Sequence, residues 1–204
     1  MEVKKVAFAK SMKQPQDYPD SGLPEIAFAG KSNVGKSSLI NYIANHSKLA
    51  YVSKQPGKTR LINYYLVNDC FYLVDLPGYG FARVSKTEKD SWDEMMRLYF
   101  EVAKNLKALI ILVDIRHKPT QDDLQMIQWA LYYGVPFCIA ATKADKIAKS
   151  KRYHYAVQMA KNISAALEED LDLSIIPISS TGKYGKDTLL RYVKKMITPG
   201  GTPE

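Results

Sequence analysis

The sequence predicts an α/β fold: a three-layer, doubly wound domain with a mostly parallel six-stranded sheet and one antiparallel strand. Three observations predict it. Apolar runs of strand length alternate with longer segments of helical periodicity. Most of those runs are apolar throughout, which suits strands covered by helices on both faces. Two of the runs flank Asn68-Asp69, a two-residue connection that only an antiparallel hairpin can use.

Taken in order, residues 1–22 form an N-terminal basic extension. Lys4, Lys5, Lys10 and Lys13 are interleaved there with Pro15, Pro19 and Gly22, and Val3–Ala9 has the composition of a short strand. The domain runs from 23 to 198, and residues 199–204 read as a disordered tail. The first strand of the sheet is Pro24–Ala29, with a helix opening at Ser38-Leu39-Ile40-Asn41-Tyr42-Ile43. The later strands are Leu61–Val67, Cys70–Asp75, Ala108–Asp114, Pro136–Ala141 and Leu173–Ile178. A helix covers about Lys89 to Asn105. The next begins at Thr120, which caps it with Asp123 as capping-box partner, and stops near Gly134. Leu124, Ile127 and Leu131 form its buried stripe. The last two helices cover Lys149–Glu169 and Tyr184–Ile197, the latter burying Leu189, Leu190, Val193 and Ile197.

With 204 residues, 46% of them hydrophobic, the chain suits one domain with a core of its own. The longest apolar run, Ala108 to Val113, is far too short to span a bilayer, and the N-terminus has no signal-peptide stretch. We expect a cytoplasmic monomer without membrane contact. Cys70 and Cys138 lie in apolar runs without metal-ligand spacing and read as buried free thiols. His46, His117 and His154 lack both metal spacing and a paired nucleophile. Lys and Arg number 29 against 21 Asp and Glu, a surplus of +8 that favours acidic partners.

Gly30-Lys31-Ser32-Asn33-Val34-Gly35-Lys36-Ser37 fits the phosphate-loop pattern, between a strand and a helix as its chemistry requires. A chance match in a chain this long is on the order of one in a hundred. Glycine lets successive N–H groups converge on phosphate oxygens, and the helix N-terminus adds partial positive charge. Lys36 then reaches the terminal phosphates, and the Ser37 hydroxyl faces magnesium.

Asp75-Leu76-Pro77-Gly78 ends a strand predicted to neighbour the phosphate-loop strand. There Asp75 reaches the magnesium through water, and Gly78 presents its N–H to the terminal phosphate. Lys36, Asp75 and Gly78 are the catalytic candidates. Thr142-Lys143-Ala144-Asp145 closes a later strand. A carboxylate such as Asp145 accepts from both the ring N–H and the exocyclic amino group of guanine. Adenine cannot supply that pair. The Lys143 stem lies over the base. Thr142 stands where an Asn-Lys-x-Asp box has Asn, and its single hydroxyl is expected to brace the phosphate loop poorly. Ile178-Ser179-Ser180, in a loop running on to Thr181 and Gly182, stands where guanine-binding folds give a backbone N–H to the base carbonyl. Gln55-Pro56-Gly57-Lys58-Thr59-Arg60 reads as a mobile loop, with Thr59 as second protein ligand of magnesium. Gly57, Lys58, Arg60 and Leu61 complete the expected nucleotide contacts.

In this order the motifs resemble a translation-factor-class GTPase. Three stretches narrow the resemblance to the EngB (YihA or YsxC) group of bacterial ribosome-assembly GTPases. They are Pro56-Gly57-Lys58-Thr59-Arg60-Leu61-Ile62-Asn63, Asp75-Leu76-Pro77-Gly78-Tyr79-Gly80-Phe81-Ala82 and Asp114-Ile115-Arg116-His117-Lys118-Pro119-Thr120. The likeness covers about residues 22 to 197. It implies one P-loop GTPase domain without an appended RNA-binding module, binding GTP and GDP with Mg2+. It also implies a switch role in maturing the large ribosomal subunit, tied in some bacteria to growth and cell division.

Tyr79 occupies the place where many relatives carry the glutamine that positions the attacking water. Slow intrinsic hydrolysis follows, stimulated in trans by the ribosome or by a potassium ion held partly by Asn33. Tyr79 and Phe81 are expected to expose aromatic rings that recognise a partner or to close their loop onto the domain. Lys183, Lys186, Arg191, Lys194 and Lys195 fall mostly opposite the apolar stripe of the last helix and are candidates for rRNA contact. Two other readings compete: a nucleotide-controlled cell-division scaffold, and an ATP-using P-loop kinase.

Overall fold

The computed structural model describes residues 1–46, 49–50, 61–80 and 85–200. Among them, seven strands form one sheet: β1 (Val6–Met12), β2 (Glu25–Gly30), β3 (Ile62–Val67), β4 (Phe71–Asp75), β5 (Leu106–Asp114), β6 (Phe137–Thr142) and β7 (Ile175–Pro177). Their spatial order is β1-β3-β4-β2-β5-β6-β7. From β4 to β7 every pairing is parallel, while β3 runs antiparallel to both β4 and β1. Among the described residues there are five α-helices: α1 (Lys36–Ile43), α2 (Lys86–Val102), α3 (Gln121–Tyr132), α4 (Arg152–Leu167) and α5 (Lys186–Ile197).

The expected six strands become seven because the basic extension joins the sheet. Val6 pairs with Val67 and Met12 with Ile62, further along the chain than the strand read over Val3–Ala9. The Asn68 side chain holds this segment down, accepting from the Lys4 and Lys5 amides at 2.9 and 3.0 Å and donating to the Glu2 carbonyl. Asn68 and Asp69 both take positive φ, 49° and 56°, as a two-residue hairpin turn requires. Cys70 closes that turn and is exposed, not buried as its apolar neighbours suggested, whereas Cys138 is buried inside β6.

The central strands are apolar on both faces because both faces are covered. Ala27 and Ala29 of β2 and Leu109, Ile111 and Val113 of β5 pack with α2, α3 and α4. Ile26 and Phe28, with Ala108, Ile110 and Leu112, pack with α1 and α5 on the other face. The phosphate-loop strand β2 lies between β4 and β5, so the carboxyl ends of β2, β4, β5 and β6 open on one edge. That edge is where doubly wound sheets place ligands.

Helix boundaries moved for local reasons. Helix α2 begins at Lys86, three residues early, because Ser85 and Glu88 form a capping box. The predicted box of Thr120 and Asp123 does open α3. Tyr184 pairs with Ser179 by two 3.0 Å backbone bonds, which delays α5 to Lys186.

Candidate nucleotide-binding site

The loop after β2 is shaped by close approach. A Cβ on Gly30 would lie 2.9 Å from both Leu112 Cβ and Val34 Cγ1, so only glycine fits. Asn33 and Gly35 take positive φ (64° and 107°) and turn the chain into α1, whose N-cap Gly35 provides no side-chain cap. The first amides of α1 therefore point out of the helix toward the edge of the sheet. Not every loop amide is directed there. The Ser32 N–H donates to the Tyr79 carbonyl at 2.8 Å, and the Val34 N–H to the Lys31 carbonyl at 3.0 Å.

Asp75 ends β4 beside this loop, and its carboxylate accepts from the Lys36 ammonium. Both side chains are almost buried, 11% and 12% exposed. The turn that follows lies on the phosphate loop: Leu76 N–H donates to Phe28 O at 3.0 Å, and a Cβ on Gly78 would be 3.5 Å from the Gly30 carbonyl. The turn is also pinned from outside by Trp92 Nε1, which donates to Pro77 O at 3.1 Å. Tyr79 is buried, its hydroxyl donating to Asp123 Oδ1 at 2.8 Å and its ring edge-on to Trp92. Trp92 in turn stacks on Trp129, so both indoles are packing residues. Of the two fates weighed for the Tyr79 ring, closing onto the domain is the one observed.

A cleft opens beside the loop. Val34, Gly35 and Leu39 line one side, Thr142, Lys143 and Asp145 the second, and Ile178 to Thr181 the third. Asp145 is oriented by Ser179, whose hydroxyl donates to Asp145 Oδ1 at 2.6 Å and accepts from the Gly182 amide at 2.8 Å. This bond from Ser179 holds the Asp145 carboxyl below its ordinary range. Thr142 does brace the phosphate loop, contrary to expectation: its buried hydroxyl donates to the Val34 carbonyl at 2.9 Å. Lys143 adds a second brace, donating to the Asn33 carbonyl at 3.1 Å.

Comparison with known proteins decides the family. The profile described as 50S ribosome-binding GTPase matches residues 25–143, and that of the elongation factor Tu GTP binding domain matches residues 93–199. A "Probable GTP-binding protein EngB" of Bacillus subtilis (strain 168) is 46% identical over 197 residues, 97% of this chain and 99% of that protein. One from Alkaliphilus metalliredigens (strain QYMF) is 49% identical over 203 residues, 100% of this chain and 96% of its own. The chain belongs to the EngB family of GTP-binding proteins.

EngB membership makes it a GTP hydrolase on a P-loop GTPase fold. A crystal structure of an EngB protein matches with TM-score 0.67 and 26% identity over 85% of this chain and 98% of that one. Era, solved in complex with MgGDPNP and nucleotides 1506–1542 of 16S ribosomal RNA, shares the fold alone, at TM-score 0.63 and 22% identity over 89% of this chain and 59% of that one.

Within this EngB chain, the phosphate loop, Asp75–Gly78, Thr142–Asp145 and Ile178–Ser180 meet at one edge of the sheet. Gly57, Lys58, Thr59, Arg60 and Phe81 lie outside the described residues, and Leu61 is half-buried just before β3. Among the candidates for RNA contact, Lys183, Arg191 and Lys194 are exposed and Lys195 half-buried. Lys186 departs from the expected solvent-facing role. Its ammonium donates to Tyr42 O at 2.7 Å and Asn45 Oδ1 at 2.6 Å, tying α5 to α1, and burial lowers its pKa. Sequence reading missed Arg152, which donates from Nε to the Ala144 carbonyl at 2.9 Å with its guanidinium 4.6 Å from the Tyr184 ring centre. It also gave Asp123 only half its role. Oδ2 closes the α3 cap while Oδ1 holds Tyr79. No helix of the described residues is long and apolar enough to cross a membrane.

Proposed function

We propose that this chain is a slow GTPase switch that docks on the large ribosomal subunit or its precursor in one nucleotide state and leaves in another, supporting growth and cell division. The observation that carries the nucleotide half is the convergence on one cleft of the phosphate loop, Lys36–Asp75 and the Ser179-oriented Asp145. The ribosomal half is supported by the family description and by the basic surplus of the chain.

In this reading Asp145 accepts the two guanine N–H groups, and Lys143 covers the base. The phosphates lie against the α1 N-terminus, where Lys36 exchanges its contact with Asp75 for phosphate oxygens. Gly78 offers its N–H to the third phosphate. Hydrolysis transfers that phosphoryl group to a water attacking in line. Buried Tyr79 has committed its hydroxyl to Asp123, so it does not orient the water, and intrinsic turnover is slow. The ribosome in trans supplies the missing stabilisation.

The donor set fits Mg2+. A hydroxyl at Ser37 and a carboxylate at Asp75 are hard oxygens, and Thr59 would be the second protein ligand. Bound there, the ion would neutralise charge on the outer phosphates. Asn33 is the residue assigned to potassium, and its φ of 64° is one asparagine tolerates readily. Single-turnover rates compared in potassium and sodium decide between the two roles. Lys183, Arg191 and Lys194, the exposed candidates, make the proposed rRNA-facing set, since the ammonium of Lys186 is used within the domain.

Cosedimentation with ribosomal subunits under GTP analogue, GDP and no nucleotide tests the proposal. Nucleotide-dependent cosedimentation with the large subunit, weakening steeply with salt, is expected. Equal or absent pelleting in all three conditions refutes it.

A further inference from the structure

The stretch Asp114–Thr120 carries family likeness without a role in nucleotide binding, yet its first residue reaches the site. Asp114 ends β5 directly opposite Thr142 of β6. Its carboxylate collects four donors. Arg116 contributes its backbone N–H at 3.1 Å and Nε at 2.9 Å to Oδ1, and its NH2 group at 2.8 Å to Oδ2. The fourth is the Lys143 ammonium, 3.0 Å from Oδ2. The same ammonium donates to the Asn33 carbonyl of the phosphate loop. Lys143 is thus stretched from a left-handed backbone (φ 59°) along the wall of the base cleft, its head caught between Asp114 and the loop.

A lysine stem carries several freely rotating bonds, and its use as a flat cover for a base requires that freedom to be given up. A carboxylate that fixes the ammonium beforehand removes this cost from the binding step. Arg116 serves the carboxylate itself: its planar fork sets the direction in which Oδ2 faces Lys143.

We propose that Asp114 is a positioning residue for guanine recognition, holding Lys143 against the phosphate loop and across the base cleft. The proposal rests on reading the cleft as the guanine site.

Equilibrium and stopped-flow binding of fluorescently labelled GDP and of a GTP analogue to the full chain tests it. Asp114→Asn is expected to weaken both nucleotides by the same factor, on the order of tenfold, chiefly through faster dissociation. Lys143→Met should weaken them comparably, and the double variant should be no worse than the poorer single, because both remove one device. A merely structural Asp114 gives a lower melting temperature with affinity unchanged, or losses that add to those of Lys143→Met. Either outcome overturns the inference. Should Asp114→Asn not fold, Arg116→Gln on the exposed loop carries the test. A several-fold loss for both nucleotides supports the inference, and wild-type affinity refutes it. Wild-type protein that holds no guanine nucleotide would instead refute the reading of the cleft itself.

Discussion

Protonation of one buried carboxyl should make this protein more stable in mild acid than at neutral pH. Glu25, the first residue of β2, is 1% exposed. Its partners are neutral phenols: Tyr18 donates to Oε1, and Tyr99 donates to Oε2 at 3.3 Å. Burial raises its pKa from 4.5 to about 7, against the smaller lowering by the two phenols. The folded chain therefore keeps a proton up to about pH 7 that the unfolded chain releases near 4.5. Stability from this group is full below pH 4.5, falls through that window, and is flat above it. A shift of this size corresponds to about 3 kcal/mol across the window. Urea denaturation at pH 5, 6, 7 and 8 reads it directly, with Glu25→Gln as the comparison. The amide keeps the shape and cannot titrate, so it should abolish most of the slope and gain on wild type above pH 7. Asp114, which burial alone would raise, is held well below the usual carboxylate range by Arg116 and Lys143. Its stabilisation is lost only in strong acid, outside the window. Equal slopes for wild type and Glu25→Gln, or wild-type stability that climbs from pH 5 to 7, would refute the reasoning.

Three further substitutions probe the site. Thr142→Val keeps the side-chain shape but leaves the Val34 carbonyl without its 2.9 Å donor; it should cost about 1–2 kcal/mol in thermal stability and weaken GDP several-fold, and unchanged calorimetric affinity would count against a bracing role. Ser179→Ala removes the bond orienting Asp145. Competition assays should show guanine affinity falling toward that for other purine nucleotides, a loss on the order of tenfold. Tyr79→Phe breaks the buried bond to Asp123 and should cost about 1–2 kcal/mol of stability while leaving single-turnover GTP hydrolysis unchanged. A slower chemical step would show that Tyr79 takes part in it.

The alternation of strand and helix was legible because these strands are buried on both faces and the helices on one. The Asn68-Asp69 hairpin was legible from its length alone. The N-terminal strand was harder to place, because β1 is an edge strand with a half-exposed pattern and a register irregularity between Phe8 and Lys10. Its pairing is fixed by Asn68, more than fifty residues away, and no local periodicity carries that information. The early start of α2 was written in Ser85 and Glu88, a capping-box spacing that lay unread. The late start of α5 was not, since Tyr184 leaves the helix for a backbone pairing with Ser179.

The site divides along the same line. Motifs whose chemistry is set by consecutive residues, the phosphate loop and Lys143-x-Asp145, announce themselves. Supporting contacts join residues that are distant in sequence: Thr142 to Val34, Arg152 to Tyr184, Asp123 to Tyr79. The expectation that Thr142 would brace poorly failed for this reason. A residue's worth as a brace depends on the separation of two backbones, and here β6 and the loop after β2 lie close enough that one short hydroxyl spans the gap. Where the backbones are that near, a longer amide would need room that the buried, 5% exposed Thr142 position does not offer. Thr142→Asn, which restores the residue common in the guanine box, should therefore destabilise this chain by about 1–3 kcal/mol rather than strengthen it. A rise in melting temperature with that variant would show that the gap can widen and that the threonine is not fitted to it.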